Sequence, residues 1–240
     1  MRLQYNTISI NKTKSRLAGY VTVLILLLLF SSRGFAQNAG TDQDLCDVQS
    51  TTLAADDPSP DTGTWTVVTA PGTVNFDDNT LYNTGISVNA YGAYTLRWTL
   101  SGGESDDVTI NFYEQPVANA GTGGDECDLN FILNATASVG NGTWTVSGPG
   151  TASYSPDANT PGATATVSAY GSYQFTWTEV NGSCSDAASV TVNFYEQPVA
   201  NAGTGGDECD LNFILNATAS VGNGTWTVSG PGTASYSPDA

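Results

Sequence analysis

The 240-residue sequence has no histidine and very little positive charge: six lysines and arginines stand against 23 aspartates and glutamates. Five of the six bases precede residue 37, so from Gln37 onward Arg97 is the one base and lysine is absent. These absences exclude several function classes. Nucleic-acid affinity rests on Lys and Arg neutralising phosphates, and anionic lipid surfaces attract the same side chains; a chain this acidic repels both. Without His or Lys, neither a Ser-His-Asp, a Cys-His nor a Ser-Lys nucleophile can be assembled. Four cysteines occur without a CxxC pattern, which argues against a metal centre. A glycosidase-type carboxylate pair is conceivable, but the acids cluster in loop-like stretches of a small repeated unit. No catalytic, cofactor-binding or metal-ligating residue is assigned, and the chain is read as a non-enzyme.

Long apolar runs are equally scarce. The single one extends from Leu17 to Phe30, behind a basic lead of Arg2, Lys12, Lys14 and Arg16 and ahead of Gly34-Phe35-Ala36, a small-x-small cleavage pattern. This is the build of a secretory signal peptide, and the run is short for a membrane span of about 20 residues. Residues 1–36 are read as a signal peptide, with a mature chain from near Gln37 that is secreted or held at the cell surface and inserts in no membrane. The acids would keep such a chain soluble and concentrate cations around it.

What the sequence does have is self-similarity, the signature of a repeat architecture. Residues 111–158 and 193–240 are identical at an offset of 82. A diverged copy begins near Asn38: Asn38-Ala39-Gly40 matches Asn119-Ala120-Gly121, Cys46 matches Cys127, and Thr64-Trp65-Thr66-Val67 matches Thr143-Trp144-Thr145-Val146. Units of 37–115 and 116–197 follow from this, with a third starting at Pro198 that reaches Ala240 halfway through the pattern. The expectation is an N-terminal piece of a longer protein, or a truncated product.

Within 116–197 the apolar residues alternate with polar ones. Leu129, Phe131, Leu133 and Ala135 form one such run, Trp144 and Val146 a second, and Ala163, Ala165, Val167 and Ala169 a third. Tyr173, Phe175 and Trp177 form a fourth, and Val190, Val192 and Phe194 a fifth. Period-2 alternation marks half-buried strands, and the polar face is rich in Thr, which suits a pleated surface. Gly140-Asn141-Gly142, Gly148-Pro149-Gly150, Pro161-Gly162 and Asn181-Gly182 punctuate the runs as turns. With Val117–Ala120 added, six or seven strands in 82 residues predict an all-β chain of tandem immunoglobulin-like β-sandwich repeats. Gly171-x-Tyr173-x-Phe175 and Gly92-x-Tyr94-x-Leu96 read as tyrosine corners, and Trp144 as a core residue of the third strand. Tyr113 and Tyr195 flank the joints between units.

The second unit holds Cys127 and Cys184, which export would allow to oxidise. A Cys127–Cys184 disulfide is predicted, closing a loop of about sixty residues worth on the order of 4 kcal/mol. Cys209 copies Cys127. Cys46 has no partner in its own unit and is either free or paired elsewhere; a Cys46–Cys209 bridge across domains is not expected. The acids Asp42, Asp44 and Asp47, then Asp125, Glu126 and Asp128, then Asp207, Glu208 and Asp210 recur near the joints, with Glu114 and Glu196 before them. Oxygen ligands at a joint could hold Ca²⁺, although the spacing matches no EF-hand or nonapeptide calcium repeat. Asn134, Asn141 and Asn181 begin N-glycosylation sequons, of a kind that arises by chance in so Asn- and Thr-rich a chain.

The order Val117-Ala-Asn-Ala-Gly121 to Cys127, Gly-Thr-Trp-Thr, Tyr-Gly-x-Tyr-x-Phe-x-Trp-Thr and Val-Thr-Val resembles the PKD-like and immunoglobulin-like repeats of large Bacteroidetes cell-surface proteins, over residues 37–240. The Trp-x-Phe-Gly-Asp-Gly signature of typical PKD domains is missing. The resemblance implies adhesin-type proteins tied to type IX secretion or gliding. Three functions fit: a structural stalk or adhesin contacting surface glycans or other cell-surface proteins, spacer domains of a secreted polysaccharide-degrading or peptidase enzyme, or a carbohydrate-binding module.

Overall fold

The computed structural model describes residues 37–237, so the signal-peptide reading of residues 1–36 lies outside the described residues. Among the described residues there is no helix, and none long and apolar enough to cross a membrane.

The first unit has seven strands: β1 (Gln43–Cys46), β2 (Ser50–Thr52), β3 (Gly63–Thr69), β4 (Val74–Phe76), β5 (Gly85–Val88), β6 (Gly92–Leu100) and β7 (Ser105–Tyr113). The second repeats them as β8 (Gly124–Glu126), β9 (Asn130–Ile132), β10 (Asn141–Ser147), β11 (Ala152–Ser155), β12 (Thr164–Val167), β13 (Gly171–Asn181) and β14 (Cys184–Phe194). Each unit has a four-stranded sheet, β1-β7-β6-β3 or β8-β14-β13-β10, and a three-stranded one, β2-β5-β4 or β9-β12-β11. The first strand runs parallel to the last, and the other pairings are antiparallel.

The alternation read from sequence defines the inner faces. Tyr173, Phe175 and Trp177 on β13 are buried, as are Ala163 just before β12, Ala165 and Val167 on it, and Val192 and Phe194 on β14. Each sandwich has its own core. Trp65 packs on Trp98 in the first and Trp144 on Trp177 in the second, at ring-centroid distances of 5.1 and 5.2 Å. Both tyrosine corners are made: the hydroxyls of Tyr94 and Tyr173 donate to the carbonyls of Ala90 and Ala169, 2.8 and 3.0 Å away. Leu96 and Phe175 follow these tyrosines at the position where a disulfide-bridged immunoglobulin domain has its second cysteine. The Trp pair and these apolar residues fill that space instead.

Three elements differ from expectation, among them β8, which the alternation does not mark. Val117–Ala120 forms only an isolated bridge, Asn119 to Thr136, because β8 takes the edge beside β14. β11 has a weak alternating pattern and was not anticipated; it is held by pairing with β12.

Residues 198–237 form no strand and make one bridge, Asn201 to Thr218, although they repeat the sequence of 116–155. Leu133 is 1% exposed in the second unit, and its copy Leu215 is 41% exposed. In the second unit this half pairs with β12, β13 and β14. The strands of the second unit thus rest on pairing partners as well as on local propensity.

Candidate functional site

The feature that stands out is the joint between the two sandwiches. Cys46 ends β1, in register with Tyr113 at the end of β7. Cys184 begins β14, just after the two-residue turn Gly182-Ser183 that closes the β13–β14 hairpin. The two cysteines form a disulfide with Cα atoms 5.1 Å apart, inside the ordinary range for a bridge. Cys127 and Cys209 are free and exposed.

The expected Cys127–Cys184 bridge is thus corrected, and the reason is strand direction. β8 runs parallel to β14 and pairs with its far end, Gly124 with Val192 and Glu126 with Phe194. Cys127 follows Glu126, whereas Cys184 opens β14. The length of β14 separates them, roughly 33 Å at about 3.3 Å per residue. A cysteine after the first strand of a unit reaches the end that faces the next unit, and a cysteine in the last hairpin faces the preceding one.

The same topology builds the rest of the joint. The side-chain amide of Asn181 donates to the carbonyl of Glu114 at 2.8 Å, and that of Gln115 donates to the carbonyl of Ser185 at 2.9 Å. Oε1 of Gln115 lies 3.0 Å from Sγ of Cys46; a bridged sulfur has no proton to give, so this is packing. Gly182, at φ +59°, lies against the ring of Tyr113 so closely that a β-carbon there would sit 2.2 Å from Cζ. A positive φ at the first central position of a two-residue turn suits glycine, and here the ring of the preceding unit demands it as well. Tyr113 is therefore a joint residue. Its copy Tyr195 is 54% exposed.

The acids near the joints bind their own sandwiches. Asp44 and Asp125 accept from the side-chain amides of Asn111 and Asn193, each at 2.8 Å, and so tie the first strand of each unit to the last. Asp42 accepts from the Thr109 N–H at 2.8 Å, Asp47 from the Tyr91 hydroxyl at 3.3 Å, and Asp128 and Asp210 from the N–H groups two residues on, each at 2.7 Å. Glu196, Asp207 and Glu208 are exposed. Among the described residues no group of three or more Cys, Asp or Glu is placed to hold a metal ion. Arg97 is held by Asp107 through two hydrogen bonds of 2.6 and 2.8 Å. The one base of the described chain is thus paired.

One carboxylate lies inside. Glu179 is 1% exposed, two residues past Trp177 on the inner face of β13. It accepts from the Trp177 indole N–H at 2.9 Å, from the Ser138 backbone N–H at 3.1 Å and from the Ser138 hydroxyl. Burial pushes this carboxyl up, but the hydrogen bonds from Ser138, Trp177 and the Val139 N–H outweigh it and hold the group below its ordinary value. In the first unit Leu100 stands at the matching position and the indole N–H of Trp98 has no partner. The group is a structural anchor for the Ser138 loop, next to the joint-facing hairpin.

Sequence reasoning missed Cys46, Gln115, Asn181 and Gly182 as joint residues. A usable signal was the distribution of cysteines: the first unit has one only after its first strand, and the second has one there and one in its last hairpin.

No protein-family model and no curated protein sequence matches the chain. Solved structures with partial similarity include three. A PKD domain from the KIAA 1837 protein is 20% identical over 35% of this chain and 91% of its own, with a TM-score of 0.31. The fibronectin(III)-like modules of Clostridium thermocellum CbhA are 16% identical over 66% of this chain and 91% of theirs, at 0.32. A C-terminal fragment of intimin, solved with the intimin-binding domain of its translocated receptor, is 11% identical over 69% of this chain and 65% of its own, at 0.39.

Proposed function

We propose that the chain is an exported, non-catalytic repeat protein whose stacked sandwiches form a stiff stalk at the cell surface, presenting a distal part or contacting surface glycans and neighbouring surface proteins weakly and repeatedly. The observation that supports this reading most is the Cys46–Cys184 bridge between sandwiches. A disulfide inside a domain serves the stability of that domain, whereas one between two domains with separate cores restrains their relative motion. Separate domains otherwise move relative to one another by default, so a covalent joint suits a part that must hold direction. Such a bridge forms and persists in oxidising compartments and is rare in the cytosol, which agrees with export. The acidic surface, with Arg97 already paired, disfavours phosphate and anionic-lipid partners. Repeated weak contacts then supply avidity without one strong site.

The test uses Fab fragments raised against residues 37–197 on intact cells of the source organism. Surface labelling, with loss of cell attachment when the Fab fragments are added, is the expected result. Label confined to the medium, together with a co-purifying polysaccharide- or peptide-hydrolysing activity, overturns it in favour of spacer domains of an enzyme.

A further inference from the structure

The peptide that receives the hairpin at the joint occurs twice. Tyr113-Glu114-Gln115-Pro116 lies at the end of the first sandwich, and Tyr195-Glu196-Gln197-Pro198 at the end of the second. In the first copy Tyr113 and Gln115 are half-buried beneath the Asn181–Ser185 turn; in the second, Tyr195 and Gln197 are exposed. The cysteine beside each platform is also placed alike. Cys46 is in register with Tyr113, and the β8–β14 register, carried one residue past Glu126–Phe194, sets Cys127 beside Tyr195. The first of these cysteines is bonded to the hairpin of the next sandwich, and the second is a free, exposed thiol.

We propose that the end of the second sandwich is a docking surface for the last hairpin of a following unit of the same kind, and that Cys127 is its bonding residue. The occupant has the character of Asn181–Ser185: a turn with glycine against the tyrosine ring, an asparagine amide reaching the carbonyl of Glu196, and a cysteine for Cys127. Unit after unit, the cysteine after the first strand bonds forward to the hairpin of its successor. The first sandwich has the forward cysteine without a hairpin cysteine, and the second has both, as a head-to-tail series requires. A second molecule of this chain does not fit the surface, because its Cys184 hairpin already covers its own Tyr113 platform. Bond formation takes two electrons and two protons from the two thiols, one from Cys127 and one from the arriving cysteine. An external disulfide such as oxidised glutathione accepts them and leaves as two thiols.

The test begins with the full chain refolded in a glutathione redox buffer and mapped by non-reducing peptide analysis. Cys46–Cys184 is expected bonded, with Cys127 and Cys209 open to alkylation; a Cys127–Cys184 bond overturns the proposal. The chain is then lengthened after Ala240 by a copy of residues 159–197, completing a third sandwich. The expected result is a bond between Cys127 and the copied hairpin cysteine, near-complete loss of Cys127 alkylation, and an unchanged Cys46–Cys184 bond. In the same lengthened chain, Cys127→Ser is expected to leave the copied cysteine open to alkylation. A folded third sandwich with Cys127 still reactive overturns the proposal, as does pairing of the new cysteine with Cys209 or between molecules. A third unit that stays unfolded by near-ultraviolet circular dichroism counts equally against it, because the same sequence folds on the same platform one unit earlier.

Discussion

Cys46 closes the first strand of one sandwich and is bonded to Cys184 in the last hairpin of the next, 138 residues away in sequence. Each sandwich has its own core, and Leu45 beside Cys46 packs on the first, so the bond ties two separately cored units at their joint. Replacing Cys184 with Ser should therefore leave two folded sandwiches that move more freely. Nitrogen-15 relaxation reads this directly: one tumbling time for both units in the bridged chain, and two in the Cys184→Ser variant. If the variant still tumbles as one body, the Gln115 and Asn181 hydrogen bonds hold the joint alone and the bridge is dispensable for stiffness.

The contact between Gly182 and Tyr113 gives a second, non-covalent handle on the same joint. Alanine at 182 would bring a β-carbon to 2.2 Å from the ring and would sit at a φ of +59°. Both effects oppose it, and a cost of about 1–2 kcal/mol is expected from backbone strain and displacement of the ring. A Gly182→Ala, Tyr113→Ala double variant separates them. It should regain the steric part and keep the strain, so the two changes should be non-additive in denaturant unfolding. Strict additivity would mean that the ring does not press on the turn in solution.

Glu179 gives the second sandwich a buried carboxylate whose contribution depends on pH, where the first has Leu100. Its folded-state pKa lies below its ordinary value, because the donors from Ser138 and Trp177 outweigh the upward push of burial. A depressed carboxylate contributes stability that is fully present above the unfolded-state pKa and is lost as pH falls through the folded one. The stability difference between the parent chain and Glu179→Gln should thus be largest near neutrality and shrink as pH falls from about 5 toward 2. Glu179→Leu should cost about 2 kcal/mol near neutrality, since it strands the Ser138 and Trp177 donors without an acceptor. Differential scanning calorimetry resolves this as a shift of one of two transitions. A difference that does not change with pH would show that the carboxylate is not the acceptor.

Much of the sandwich was legible because its information is local. Alternation assigned the inward faces of β12, β13 and β14 residue by residue, and it extends to Glu179, which falls in phase with Tyr173, Phe175 and Trp177 and could have been read as buried. The tyrosine corners followed from their Gly-x-Tyr pattern because the bond spans only four residues. The joint was not legible, because it depends on which end of β14 the short β8 meets. Parallel pairing with Val192 to Phe194 carries Cys127 away from Cys184 and toward the next unit, and three residues of Gly-Asp-Glu carry no signal of direction. The half-unit at 198–237 makes the same point from the other side. Its alternation is identical to that of the second unit, yet residues 198–237 form no strand.

The motif Gly-Thr-Trp-Thr, present in both sandwiches, has a steric origin that can be tested. A β-carbon on Gly142 would lie 1.8 Å from Cζ2 of Trp177, and one on Gly63 would lie 2.1 Å from the same atom of Trp98. The indole of each core Trp on the penultimate strand covers the glycine of the third strand, two residues before the Trp it packs against. Both indoles are almost wholly buried, so neither can swing aside, and overpacking of this sort costs about 1–3 kcal/mol. Gly142→Ala is expected near the top of that range, with the loss confined to the second sandwich. Phenylalanine at 177 removes the benzo ring that meets position 142. Trp177→Phe alone should destabilise through the cavity it leaves, yet it should lessen the cost of Gly142→Ala when the two are combined. A favourable coupling of about 1 kcal/mol or more in the double-mutant cycle is the expected outcome. A coupling near zero would mean that the glycine is retained for the backbone of β10 and not for the indole above it.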